Sequence, residues 1–293
     1  MTGPARDDDV AAYVSTLGVP GIVDAHVHFM PDRVQHKVWA HFDRLDPPWP
    51  VTYRASPAER LETLAHLNVR HHTALAYAHR PGMLGFLNDH TLGLATSQAQ
   101  VIPTFTIYPE PGVGDEVTRC LAQGGKCVKV HLQVGGFDAT DPLLDPAWRQ
   151  LEEAGTPIII HAGAVADGSG NEEYCGPAPI RRLATRYPGL RLVVAHMGAP
   201  DHDGFVALAE DIETLWMDTA MVFTSPSYLA PPPDHLRSRV AALGHRIVFG
   251  SDFPTIPHAF ASQVRGLAEL DLGNRWMSGV LWHNGVRLFG LDQ

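Results

Sequence analysis

A barrel of eight parallel strands, each followed by a helix, is the architecture expected of this 293-residue chain, and two observations carry the expectation. Apolar, β-branched runs recur eight times, and most are unbroken rather than alternating, as suits parallel strands covered on both faces. Four of these runs end in metal-capable side chains: His26 and His28 on the first, then His161, His196 and Asp252. In a (β/α)8 TIM barrel, an α/β fold, the C-terminal strand ends form one rim, so these five residues would gather there. A doubly wound open sheet is the alternative, and it would spread them along a crevice.

The elements follow in order. Residues 1–20 read as a lead-in whose start, Met1 to Asp9, lacks an apolar signal core and is expected to be disordered. Residues 21–293 read as one barrel domain without an internal repeat. The first strand is expected over 22–28. An insertion loop follows over 30–55, rich in proline and in aromatics (Trp39, Phe42, Trp49, Tyr53). Ser56-Pro57-Ala58-Glu59 then opens a helix with an N-cap serine, proline at the first helical position and a reciprocal glutamate. Strands are expected at 73–78, 101–107 and 127–132. Asp145-Pro146 opens a helix over 147–154 that Gly155 closes. Strands at 157–161, 192–196, 215–218 and 247–251 complete the eight. A glycine-rich loop at 164–177 and the 30–55 insertion would both overhang the rim, as a substrate lid or as packed insertions.

Bulk properties exclude several functions. Hydrophobic residues make up 45% and charged ones 18%, ordinary for a soluble globular protein. A net charge of −10 argues against nucleic acid or an anionic membrane as partner. No run approaches the length of a membrane helix. Three cysteines, Cys120, Cys127 and Cys175, form no C-x-x-C, so neither a disulfide framework nor a thiolate zinc site is suggested. The reading is a reduced, cytoplasmic protein, compatible with a homo-oligomer. A G-x-S-x-G elbow, an H-E-x-x-H helix and a Walker lysine loop are all missing, which disfavours serine-nucleophile and phosphate-cradling mechanisms.

With 17 histidines in the chain, chance alone gives about one His-x-His, so that pair is weak evidence by itself. The other strand ends strengthen it. His26, His28, His161 and Asp252 offer three nitrogens and one oxygen, a donor set for one divalent ion, zinc first with manganese or iron as alternatives. The absence of thiolate makes the site open and catalytic. His196, on the next strand end after His161, is placed to move a proton or orient water. Asp252 suits a ligand, a base, or both in turn. Lys129 and His131 share one face of the fourth strand and are candidates for the substrate pocket. Asp218 ends the seventh strand as a rival carboxylate, better suited to supporting a ligand than to being one. Arg33, Arg44, Arg54 and Arg80 are candidates to clamp a substrate carboxylate.

Asp24-Ala25-His26-Val27-His28, the strand-end His161 and His196, and Gly250-Ser251-Asp252-Phe253-Pro254 together resemble the amidohydrolase superfamily. The closest resemblance is to its amidohydrolase-related branch, which includes aminocarboxymuconate semialdehyde decarboxylase. Val128-Lys129-Val130-His131-Leu132 through Asp138, and the tail Asn284 to Phe289, are similar to that branch as well. The resemblance implies a distorted barrel with one divalent metal, held by position on His26, His28, His161 and Asp252, with His196 acting on water or substrate. Some binuclear members carry a carboxylated fourth-strand lysine between two metals; Lys129 lies on that strand, but the branch favours one metal.

The function expected is a metal-dependent hydrolase, in which metal-activated water attacks an ester, lactone, amide or activated carbon–carbon bond of a small carboxylated molecule. The alternative is a non-oxidative decarboxylase or hydratase of an unsaturated or phenolic acid, which would use the same ligands. A third reading, a metal-binding or metabolite-sensing protein that has lost catalysis, would be marked by a broken constellation, and no member is missing.

Overall fold

The computed structural model describes residues 3–46, 49–165, 170–224 and 229–292. Its strands are all paired in parallel. A three-stranded sheet holds β1 (Ile22–Asp24), β2 (Val69–Thr73) and β3 (Val101–Ile102) in that order. A six-stranded sheet runs through β4 (Thr104–Thr106), β5 (Cys127–His131), β6 (Ile158–His161), β7 (Leu192–Val194), β8 (Leu215–Asp218) and β9 (Ile247–Val248).

Pro103 separates β3 from β4 within the single strand expected over 101–107, because proline has no N–H to give to a ladder. Its carbonyl still accepts from Lys126 and Cys127, so the two sheets run on through it. At the other margin, Ala25 N donates to Phe249 O at 2.8 Å, Asp252 N to His26 O at 2.7 Å and His28 N to Phe253 O at 2.7 Å. The exit of the first strand thus lies beside the exit of the last, and eight strand positions follow one another as expected of the barrel.

Sequence and structure differ most at β2. The run expected over 73–78 is preceded by the strand itself, Val69–Thr73, where Arg70 is exposed and His71 partly so. Those polar residues at the helix-facing start of the strand hid it from a search for unbroken apolar runs. Both helix signals hold. Ser56 Oγ accepts from Glu59 N while Glu59 Oε2 accepts from Ser56 N, and Gly155 ends the helix Asp145–Ala154 with φ +61°.

Two expectations need correction. The lead-in is ordered from Asp7: Val10 and Val14, one helical turn apart on Val10–Thr16, are fully buried, and Asp7 accepts from Ala261 N. The 30–55 insertion contains the helix Asp32–Phe42, whose Gln35 and Trp39 are buried. Its far limb is tied to the loop after Asp252, through Trp49 Nε1 to Thr255 O at 2.9 Å and Thr52 N to Ile256 O at 2.9 Å. Residues 47–48 of that insertion and 166–169 of the glycine-rich loop lie outside the described residues.

A buried histidine makes the fold acid-sensitive. His72 is enclosed on β2, stacked 5.5 Å from Phe29, and burial pushes its imidazole down to about 4. Depression in the folded state means that its contribution is intact above the unfolded value and is lost as pH falls through the folded one. His72→Leu should therefore gain on the parent by about 2 kcal/mol in unfolding free energy between about pH 7.5 and about pH 4.5. Denaturant melts of both proteins at the two pH values check this; a difference independent of pH would refute it.

Candidate metal centre

Beyond Asp24 the first strand continues extended, with single parallel bridges from Val27 to Phe253 and from His28 to Leu75. Alternation puts His26 and His28 on one side, with ring centroids 5.2 Å apart. Asp24 fastens this turn to the last strand, its Oδ1 accepting from His26 N at 3.1 Å and Ser251 N at 3.0 Å. Burial pushes the Asp24 carboxyl up to about 8.

Three of the metal-capable imidazoles are oriented from behind. His26 Nδ1 lies 2.8 Å from Asp218 Oδ2, His28 Nδ1 lies 3.1 Å from Leu75 O, and His196 Nδ1 lies 2.9 Å from Ala220 O. Carboxylate and carbonyl oxygens accept only, so each ring carries its proton on Nδ1 and turns an Nε2 lone pair inward. His131 is the opposite case. Its Nδ1 accepts from Val134 N at 3.3 Å, which leaves the proton on Nε2 and makes that atom a donor.

The inward lone pairs meet an acceptor. Asp252 Oδ1 sits 3.0 Å from His28 Nε2 and 3.6 Å from His26 Nε2. Burial would raise the Asp252 carboxyl, but the neighbouring His28 and His26 side chains hold it well below the usual carboxylate range. Two neutral imidazole lone pairs facing a carboxylate repel one another unless a cation stands among them. His161 Nε2 adds a buried nitrogen with no hydrogen-bond partner. Its ring stacks on His131 at 3.9 Å and meets His196 edge-on at 4.9 Å. Burial lowers the imidazoles of His26, His131 and His161 well below their ordinary value, and neutral imidazole is the form that ligates. The donors of His26, His28 and Asp252 therefore fit a divalent ion, while His161 falls in neither group of converging donors among the described residues.

Donor atoms of His26, His28 and Asp252 lie within 4.8 Å of one another, as do those of His26, His196 and Asp218. The second group is better read as support. Asp218 is fully occupied, with Oδ2 on His26 and Oδ1 accepting from His196 N at 2.8 Å and Ala220 N at 3.1 Å. Gly250 lets these parts approach, since a Cβ there would meet His26 Cβ at 2.8 Å. His196 (φ +54°) and Asp252 (φ +64°) both hold the left-handed backbone, at a cost of about 1–3 kcal/mol each. Their N–H bonds to Asp218 and to His26 O offset it.

Lys129 is fully buried, and its Nζ lies 3.2 Å from His26 Nε2. Burial pulls its ammonium down to about 8. It is the buried ammonium expected on the fourth strand, set beside His26.

The amidohydrolase family model matches residues 23–291. The chain belongs to the amidohydrolase family. Among solved structures, this amidohydrolase is similar to 5-carboxyvanillate decarboxylase from Sphingomonas paucimobilis, at 17% identity and TM-score 0.64, over 94% of this chain and 100% of that one. It is also similar to a probable 2-pyrone-4,6-dicarboxylic acid hydrolase from Acinetobacter baumannii, at 15% identity and TM-score 0.60, over 92% and 100%. A 4-oxalomesaconate hydratase from Rhodopseudomonas palustris shares 15% identity, with TM-score 0.57 over 92% and 95%. No curated protein matches the chain. These likenesses establish the TIM-barrel fold; the reactions named differ from one another.

Residues not singled out by sequence also build the amidohydrolase site. Tyr77 packs its ring 5.0 Å from His131 and 5.9 Å from His28. Gln263, two per cent exposed, donates to Ser251 O at 2.7 Å and accepts from Met221 N at 2.8 Å, joining the loops after β8 and β9. Tyr77 lay within the expected 73–78 run but was not singled out there; Gln263 sits on a helix, Phe260–Glu269, with no motif around it. The four arginines offered as clamps, Arg33, Arg44, Arg54 and Arg80, are all exposed, and Arg54 is paired with Asp43.

Proposed function

We propose that this amidohydrolase is a mononuclear, metal-dependent hydrolase of a small carboxylated molecule, working in the cytoplasm. The observation that carries the reading is the 3.0 Å approach of His28 Nε2, a lone pair, to Asp252 Oδ1. His26, His28, His161 and Asp252 would hold the ion, with zinc first and manganese or iron as alternatives. When bound, such an ion supplies Lewis acidity to water and to the substrate's oxygen. The chain's own groups do the rest. His196, its Nδ1 fixed on Ala220 O, turns Nε2 inward to take a proton and later return it. Asp252 receives or relays that proton. Lys129 brings a positive charge into a buried site, which favours an anionic substrate, and His131 donates from Nε2.

A second reading, non-oxidative decarboxylation or hydration, has one specific observation in its favour. His131 is set as a proton donor beside the ligand set, and carbon that loses CO2 must be protonated. The product separates the two: hydrolysis adds water, while decarboxylation releases CO2 without it.

Elemental analysis of gently purified protein should find about one divalent ion per chain. Near two would make Lys129 a bridging ligand and overturn the mononuclear assignment. None, even after metal add-back, would sink the metal-dependent reading altogether. Lactones, esters and aromatic acids screened for acid and CO2 release then decide the reaction.

A further inference from the structure

Arg60 is a buried cation with no counter-ion among the described residues. It belongs to the helix Pro57–His66 and is 1% exposed, yet no carboxylate among the described residues lies within ion-pair distance of it. The acidic charge that acts on it is that of Asp32, which is exposed. Burial lowers its pKa only to about 10, so it stays protonated at neutral pH. Of the guanidinium's five N–H bonds, one finds a weak acceptor, Gln35 Oε1 at 3.4 Å, and Nε is buried with no partner.

Two further donors share this condition at the same place. Gln35 and Trp39 lie one helical turn apart on Asp32–Phe42, and both are more than nine-tenths buried. Gln35 Nε2 and Trp39 Nε1 are buried without an acceptor. The Arg60 guanidinium lies 5.9 Å from the Trp39 ring and 4.8 Å from the Phe29 ring. Aromatic faces soften the charge but accept none of its hydrogen bonds in the plane of the fork. An isolated buried charge is expensive, so such groups are ordinarily paired or bound to ions of opposite sign. Water would accept the hydrogen bonds but would not neutralise the charge.

We propose that Arg60, Gln35 and Trp39 bind a small oxyanion, a carboxylate or a phosphate, at a second site distinct from the metal centre. Planar or tetrahedral oxygens match the guanidinium fork, and the amide and indole N–H groups supply the remaining donors. The separation follows from the chain itself. His28 faces Asp252, whereas Phe29, the next residue on the extended segment, turns the other way, against His72 and Arg60. The site also joins the helix of the 30–55 insertion to the strand end that bears His28, so its occupancy fixes that insertion's base.

The test uses the metal-loaded enzyme titrated with inorganic phosphate and, separately, with acetate, at constant ionic strength in chloride. Thermal midpoint and tryptophan fluorescence are the readouts. A saturable response is expected, with phosphate alone, acetate alone or both identifying the oxyanion class. Trp39→Phe keeps the ring and removes one N–H, and should raise Kd about tenfold. Arg60→Met should abolish the response, and His28→Ala should leave it intact. The proposal is overturned if neither anion gives saturation, if Trp39→Phe binds like the parent, or if His28→Ala removes the response, which would put the anion on the metal. Should Arg60→Met fail to fold, Trp39→Phe and Gln35→Met decide the outcome by the same loss of affinity.

Discussion

His28→Ala should strip the enzyme of most of its bound metal, with affinity falling more than about 100-fold. The expectation rests on what the histidine leaves behind. Its Nδ1 is fixed by Leu75 O, and its Nε2 stands 3.0 Å from Asp252 Oδ1, so the side chain has no other use for its inward nitrogen. Removing it would delete one proposed ligand and leave the Asp252 carboxylate with His26 at 3.6 Å. The fold should survive, because the backbone bonds of this segment, His28 N to Phe253 O and Leu75 N to Val27 O, do not involve the ring. Metal content per chain, measured beside a circular dichroism spectrum, checks both halves. A folded His28→Ala protein with the parent's metal content would remove His28 from the ligand set.

Much of the candidate site was legible because its residues sit at strand ends on one rim. His161 ends β6 at the residue expected, and Asp218 ends β8 likewise. The expected strand 22–28 was right about which residues share a side, although ladder pairing stops at Asp24 and only single bridges continue it. Periodicity reports side-chain direction, which outlasts regular hydrogen bonding. What remained hidden depends on contacts across the chain. That His131 carries its proton on Nε2 follows from Val134 N folding back upon it, a turn that no pattern of residue types encodes. Lys129 read as a pocket residue because a strand places a side chain on a face but says nothing of its reach; the four-carbon stem brings Nζ to His26. Arg60 lay inside a capping helix whose sequence signals an amphipathic surface element, and only the helix folded over it from the 30–55 insertion buries it.

His196→Ala should separate chemistry from metal binding, keeping the ion while turnover on the substrate found by product screening falls about 10²–10⁴-fold. His196 has a donor atom within 4.8 Å of those of His26 and Asp218, so its role as a proton carrier and not a ligand is the point under test. Asp252 Oδ1 draws close to His28 and His26, whereas His196 shares its group with His26 and with Asp218, whose oxygens are already taken by N–H donors. What the side chain offers is an inward Nε2 held in one orientation by Ala220 O, the requirement for a group that moves a proton. Two features make the comparison interpretable. The backbone N–H of residue 196 remains to bond Asp218, so His26 keeps the support behind its Nδ1 and the ligand set stays aligned. The left-handed φ of +54° is harder on alanine than on asparagine, so His196→Asn serves as the second variant, with the backbone accommodated and the imidazole gone. Both should hold the parent's metal content and show the same loss in kcat, with KM little changed. If both lose the ion as His28→Ala does, His196 is a ligand, and the proton must be handled by Asp252 or by the Nε2 donor of His131. If both keep the ion and full turnover, the inward nitrogen of His196 has no part in the reaction.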